Sequence, residues 1–268
     1  MSASIQDMQA IDTHGHIGYY RGAASGLIDD FYSGDAQVVV NRARAANTAL
    51  TMVSSLQALL PRCGGDPLTG NKEMAKEIAE TKELLQWVVI DPLKPETYRQ
   101  ALEMLKTPKC VGVKIHPEEH GYPIKAHGRT LFEFAEKHNI ILQSHSGEQN
   151  SMPEDFLAFA NDFPSVKIII CHLGCGWDGD MTHQVRAIQL NKHDNMFSDT
   201  SSAKQIASKF LEWSVREIGA DRILYGTDTP LYFAPMHRCR VDNADLSDAQ
   251  KRLILRDNAL KLFGLELN

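Results

Sequence analysis

Short apolar runs alternate with stretches of helical periodicity along the whole chain, which is the pattern of a β/α protein. The apolar runs predict strands at 10–17, 50–55, 85–90, 110–117, 140–145, 166–172, 196–200 and 222–228. The stretches between them predict helices at 35–48, 71–83, 96–106, 128–138, 153–162, 180–192, 203–218 and 247–263. Local punctuation agrees: Asn71 reads as an N-cap, Pro117 ends the fourth strand, Pro153 sits in a first helical turn, and Gly264 reads as a C-cap. The run from Val166 to His172 is the most continuously apolar, as a parallel strand covered on both faces should be. Eight strand–helix units in 268 residues predict an α/β fold, a single-domain (β/α)8 TIM barrel spanning residues 1–268. An open doubly wound sheet shares the alternation, but no Gly-rich phosphate fingerprint follows the first strand. Segments 18–34, 57–70 and 229–246 read as irregular loops that set specificity.

Composition leaves this picture unchanged and narrows the partners. The chain is 43% hydrophobic and 23% charged, with a net charge of −6, which argues against a nucleic-acid or anionic-membrane surface. No apolar run is long enough to span a bilayer. The start, Met1-Ser2-Ala3-Ser4-Ile5-Gln6, lacks the basic and apolar regions of a secretion signal, so the cytoplasm is the expected location. Five scattered cysteines suggest reduced thiols. Cys171-His172-x-x-Cys175 has no second half of matching spacing for a structural zinc site, and Cys171 reads as a small buried apolar residue. The expected partner is a small-molecule substrate; no nucleic acid or membrane is expected, and a homo-oligomer stays open.

Chemistry collects at one end of the expected barrel. Successive side chains on a strand point to opposite faces, so His14 and His16 project together with Asp12 below them. Alone, such a pair reads equally well as two surface histidines. Lys114, His116, His145, His172, Asp199 and Asp228 also fall at C-terminal strand ends, where barrel active sites are built. Of eleven histidines, five lie at these ends; His120, His127, His138, His183, His193 and His237 fall on helices or loops. Converging imidazoles and carboxylates suit a borderline divalent metal such as zinc.

The ordered motifs Asp12-Thr13-His14-Gly15-His16, Gly112-Val113-Lys114-Ile115-His116-Pro117 and Ser144-His145-Ser146-Gly147 form one half of a known pattern. Cys171-His172-Leu173-Gly174, Asp199-Thr200-Ser201-Ser202, Tyr225-Gly226-Thr227-Asp228 and the terminal 258–264 complete it. Over essentially the full chain this set resembles the amidohydrolase superfamily of metal-dependent barrels, in its amidohydrolase-related branch. The branch containing aminocarboxymuconate-semialdehyde decarboxylase is similar.

The resemblance implies that His14, His16, His145 and Asp228 hold a divalent metal, most simply one zinc ion, with two possible. Bound water would be activated toward hydroxide, with Asp228 orienting it and moving its proton. His172 has two readings, a second-metal ligand or an uncoordinated catalytic imidazole that polarises the substrate and shuttles protons, and the resemblance to mononuclear decarboxylase-like members favours the second. Lys114, together with His116, marks a second metal position if carboxylated, or a substrate contact; an ordinary lysine paired with an acid is the plainer reading. Asp199 would anchor a ligand imidazole from behind, and Asp12 would bind structurally. Arg21, Arg62, Trp177, Tyr232, Phe233, His120 and His237 fall on mouth loops, where solvated surface roles compete with substrate contact. The leading expectation is a metal-dependent hydrolase of a small amide, ester or lactone. Behind it stand a metal-dependent non-oxidative decarboxylase and a non-catalytic metal-binding barrel.

Overall fold

Eight parallel strands pair in sequence order: β1 (Ala10–Ile17), β2 (Thr48–Ser55), β3 (Leu84–Val89), β4 (Cys110–Ile115), β5 (Leu142–Ser144), β6 (Ile168–Ile170), β7 (Met196–Asp199) and β8 (Ile223–Leu224). The computed structural model describes residues 4–22 and 25–267. Met1–Ala3 of the stretch read for a secretion signal, and Ala23-Ala24 within 18–34, lie outside the described residues. The barrel closes between β8 and β1: Thr13 N donates to Tyr225 O at 2.9 Å, Asp228 N to His14 O at 2.8 Å, and His16 N to Thr229 O at 2.6 Å. This is the TIM barrel that the alternation predicts. Among the described residues, no helix is long and apolar enough to cross a membrane.

The strands alternate between two apolar layers, as a pleated sheet covered on both faces must. Ile168 and Ile170 pack outward with Leu131 and Phe132 of the helix Ile124–His138. Ile169 and Cys171 pack with Ile11, Met52, Trp87 and Leu224, forming the floor beneath the mouth. Register slips on β1 between Asp12 and Gly15, and the Thr13 carbonyl accepts from Trp87 Nε1 at 3.0 Å and Gln143 Nε2 at 2.9 Å. Such cross-barrel bonds satisfy polar atoms that the core would otherwise strand. Trp87 fits only because position 112 is glycine: a Cβ there would stand 2.6 Å from the Trp87 ring and 2.5 Å from the Ile141 carbonyl.

Several element boundaries differ from the sequence expectation, each for a local reason. β5, β6 and β8 are shorter than their apolar runs, and β6 and β8 end where the chain turns out of the ladder ahead of the functional side chains. His172 (φ 67°) and Asp228 (φ 58°) both occupy the left-handed region, which no strand accommodates. The helix expected over 35–48 stops at Ala45, and the left-handed Asn47 (φ 48°) turns it into β2. Asn71 is not an N-cap. The helix starts at Pro67, where the Asp66 side chain accepts from Thr69 N at 2.8 Å, and Asn71 is buried one turn inside. The span 203–218 breaks at the left-handed Lys209 into a short turn and the helix Phe210–Ile218. Segments 18–34 and 229–246 are not wholly irregular, since they carry helices Gly26–Tyr32 and Ala234–Asp242. Segment 57–70 likewise holds most of the helix Leu56–Leu59, the turn Pro61–Cys63 and the start of the helix Pro67–Glu77. Gly264 ends the last helix with φ 62°, as expected of a C-cap.

Candidate metal centre

His14 and His16 leave β1 on the same inward face and are both buried. Each is gripped from behind: His14 Nδ1 lies 2.9 Å from Asp199 Oδ2 and His16 Nδ1 lies 2.9 Å from Ser54 Oγ. A carboxylate only accepts, so His14 Nδ1 donates to Asp199 and its Nε2 is bare. Both Nε2 atoms face Asp228 Oδ1, at 3.5 Å from His14 and 2.8 Å from His16. One ligand atom from each of His14, His16 and Asp228 lies within 4.8 Å of the others. Two imidazole nitrogens and a carboxylate oxygen, converging and oriented from behind, fit a divalent metal ion.

The remaining expected residues surround this group. His145 lies outside the three-residue cluster: its Nδ1 is 3.0 Å from His172 Nε2, and its ring stacks on His116 with centroids 4.0 Å apart. His145 Nε2 is buried without a hydrogen-bond partner, with Glu148 Oε2 3.5 Å away. Lys114 is fully buried, its Nζ 3.2 Å from His14 Nε2 and 3.3 Å from Cys171 Sγ, so the acid partner expected for an ordinary lysine is absent from its hydrogen bonds. His116 stands just past β4, where its Nδ1 accepts from Glu119 N at 3.3 Å and caps the short helix Pro117–His120. Lys114 and His116, two residues apart, both face the mouth. A second cluster, His14 with Cys171 and Asp199, also satisfies the spacing for a metal, but burial pushes the Cys171 thiol well above its usual range and so opposes the thiolate a metal would need.

Asp199 organises more than one neighbour. Its Oδ1 accepts from His172 N at 2.9 Å, from Ser201 N at 3.2 Å and from the Ser201 hydroxyl, while Oδ2 holds His14. Ser201 Oγ in turn lies 2.8 Å from His172 Nδ1. Ser201 drew no role from the sequence; its only signal there is its place in the Asp-Thr-Ser-Ser run of β7. Asp12 works at the barrel seam, accepting from His14 N, Thr227 N and the Thr227 hydroxyl at 3.0, 3.1 and 2.6 Å.

Electrostatics follow burial and these contacts. Burial and the adjacent Lys114 push the His14 imidazole down to about 4. Burial, reinforced by His145, likewise lowers His172 well below the usual histidine value. Burial opposes charge on Asp228, but the His16 hydrogen bond and the neighbouring His14 outweigh it and hold the carboxyl far down. Asp199 is lowered the same way, with His14 overcoming the burial penalty.

These groups open onto a cavity of about 280 Å³. Its apolar wall is built by Leu56, Leu59, Leu60 and Leu231 with Tyr20 and Tyr232. Among the described residues no arginine lines it; Arg62 forms a bidentate pair with Glu119, at 2.6 and 3.1 Å. His120 and His237, expected on loops, are buried in the helices Pro117–His120 and Ala234–Asp242. Trp177 and Phe233 are exposed away from the cavity lining.

The family model for amidohydrolases matches residues 11–265. The chain belongs to the amidohydrolase family. Solved structures with the same fold include a 2,6-dihydroxybenzoate decarboxylase from Rhizobium, 16% identical, with TM-score 0.73 over 96% of this chain and 99% of that one. A dihydroxybenzoic acid decarboxylase from Polaromonas sp. JS666, with bound manganese and the inhibitor 2-nitroresorcinol, is 15% identical, with TM-score 0.75 over 97% and 98%. The 5-carboxyvanillate decarboxylase of Sphingomonas paucimobilis is 14% identical, with TM-score 0.67 over 96% and 99%. No curated protein matches the sequence.

Proposed function

We propose that this amidohydrolase is a metal-dependent, non-oxidative decarboxylase of a small hydroxylated aromatic carboxylic acid. The observation that carries the proposal is the two-sided cavity. Imidazoles, Lys114 and Asp228 line it together with a continuous leucine–tyrosine wall, in a volume suited to a single substituted ring. The similar structures named above act on ring-hydroxylated benzoic acids, which moves decarboxylation ahead of the hydrolysis expected first from sequence.

In this reading His14, His16 and Asp228 would hold the metal, with His145, which lies outside that cluster, as a fourth ligand. A divalent ion there would supply a Lewis acid for the substrate's carboxylate and adjacent oxygen. Manganese is present in the Polaromonas structure, and the nitrogen and oxygen donors here suit manganese or zinc. Lys114 supplies fixed positive charge at the inner end of the cavity, where the carboxylate enters. The leucine wall takes the ring and excludes water from the carboxylate, which favours loss of neutral CO2. His172 accepts the ring hydroxyl proton and returns it to the carbon bearing the carboxylate. The carbon–carbon bond then breaks, CO2 leaves, and its electron pair restores the aromatic ring. Asp228 stays ionised against His16 and keeps the imidazole cluster in place.

The test is product analysis of the manganese- or zinc-loaded protein with hydroxybenzoates in D2O. Release of CO2 with one deuterium at the vacated ring carbon is expected. Turnover of esters, lactones or amides without CO2 from any hydroxybenzoate would overturn the proposal in favour of hydrolysis.

A further inference from the structure

The Ser201 hydroxyl has one proton and two buried neighbours that compete for it. On one side lies Asp199 Oδ1, in a very short contact; on the other lies His172 Nδ1, at 2.8 Å. A carboxylate has no proton to give, so that short oxygen–oxygen contact is attractive only if Ser201 donates to Asp199. The hydroxyl then meets His172 with a lone pair, and the proton in that contact belongs to His172 Nδ1.

We propose that Ser201 is a positioning residue that holds His172 in its Nδ1–H tautomer and so keeps the lone pair on Nε2, where His145 Nδ1 shares it at 3.0 Å. The functional part rests on the decarboxylase reading; the tautomer itself does not. A neutral imidazole carries one proton, so with Nδ1 occupied the Nε2 nitrogen is the acceptor, and it serves the reaction when the substrate hydroxyl takes the place of the His145 N–H. Its neighbour is consistent with this. His145 Nδ1, 3.0 Å from His172 Nε2, supplies the proton of that contact. Asp199 secures the arrangement a second way, since the same Oδ1 takes His172 N and Ser201 N and pins the left-handed backbone at His172. One carboxylate thus fixes both His14 and, through Ser201, His172.

The direct test needs no substrate. In metal-free protein labelled with 15N-histidine, two-bond proton–nitrogen correlations separate the two neutral tautomers, and His172→Gln identifies the His172 signals. The native protein and Ser201→Thr, which keeps the hydroxyl, should show Nδ1–H at His172; Ser201→Ala should shift it toward Nε2–H. An Nε2–H His172 in the native protein overturns the proposal, as does an unchanged pattern in a folded Ser201→Ala. In the metal-loaded enzyme, Ser201→Ala should lower kcat about 10- to 100-fold with little change in KM, and Ser201→Thr should restore much of it. If the native protein releases no CO2, the decarboxylase reading fails while the spectrum still decides the tautomer.

Discussion

His14 Nδ1 and Asp199 Oδ2 lie 2.9 Å apart with both side chains buried, joining the first strand of the barrel to the seventh. The carboxylate fixes the tautomer of the imidazole and turns its Nε2 toward Asp228. Asp199→Asn keeps the shape but replaces one accepting oxygen with a donor. Metal affinity, measured by competition with a chelator, should fall about 10- to 100-fold in this variant. Unchanged affinity would show that Asp199 does not tune the metal position.

Metal and fold should be linked. The three-residue cluster exists only in the folded barrel, because His14 and His16 come from β1 and Asp228 from the turn after β8. A metal that binds there stabilises the native state by mass action, by about 2.7 kcal/mol at a hundredfold excess over its dissociation constant. Manganese or zinc should therefore raise the melting temperature of the native protein, and EDTA should reverse the rise. In His16→Ala the increment should vanish, since one nitrogen and its contact to Asp228 are gone. A full increment in that variant would place the metal elsewhere.

The barrel and the positions of its polar residues were legible from the chain because both depend on periodicity. Apolar runs at even spacing specify strands, and strand alternation places His14 beside His16. Two kinds of feature were not legible. The first is where a strand stops: His172 and Asp228 look like the ends of apolar runs, but their left-handed backbones end the ladder earlier. Their conformation is set by Asp199 and by the His14 carbonyl, which are distant in sequence. The second is the hydrogen-bond partner of a small polar residue. Ser201 and Ser54 are unremarkable as letters, and only the closed barrel places them behind His172 and His16. His116 lies one residue past the end of β4, yet it lines the cavity with Lys114, as two positions two residues apart should.

His183, which is not part of the cavity lining, predicts a pH dependence of stability. Its Nδ1 lies 2.8 Å from Glu154 Oε1 and its Nε2 lies 3.0 Å from Asp178 Oδ2. Burial works against the charged ring, but the two carboxylates outweigh it and raise the His183 pKa above 6.5. The folded state therefore holds the proton more tightly than the unfolded chain. The stabilisation is fully present below the unfolded value and is lost as the pH rises through the folded one. Denaturation of the native protein and His183→Gln between about pH 6 and 8 should show their stability difference shrinking as the pH rises. A difference that stays constant or grows would contradict the paired, protonated ring.

Asn71 carries the last prediction, because burial has changed its role from cap to clamp. Its Oδ1 accepts from Val89 N at 2.9 Å and its Nδ2 donates to Val89 O at 2.8 Å, so one side chain satisfies both backbone groups at the end of β3. Its own carbonyl accepts from Gln86 Nε2 at 3.0 Å, tying the helix Pro67–Glu77 to the same strand. Asn71→Ala leaves a buried N–H and a buried C=O without partners, at a cost of about 1–3 kcal/mol for each stranded group. Asn71→Asp keeps the acceptor and loses the donor, so it should fall between the native protein and the alanine variant if the added charge is tolerated. Urea denaturation of the three proteins measures this order. A stability loss below about 0.5 kcal/mol in Asn71→Ala, the size of an ordinary surface substitution, would show that water replaces the clamp.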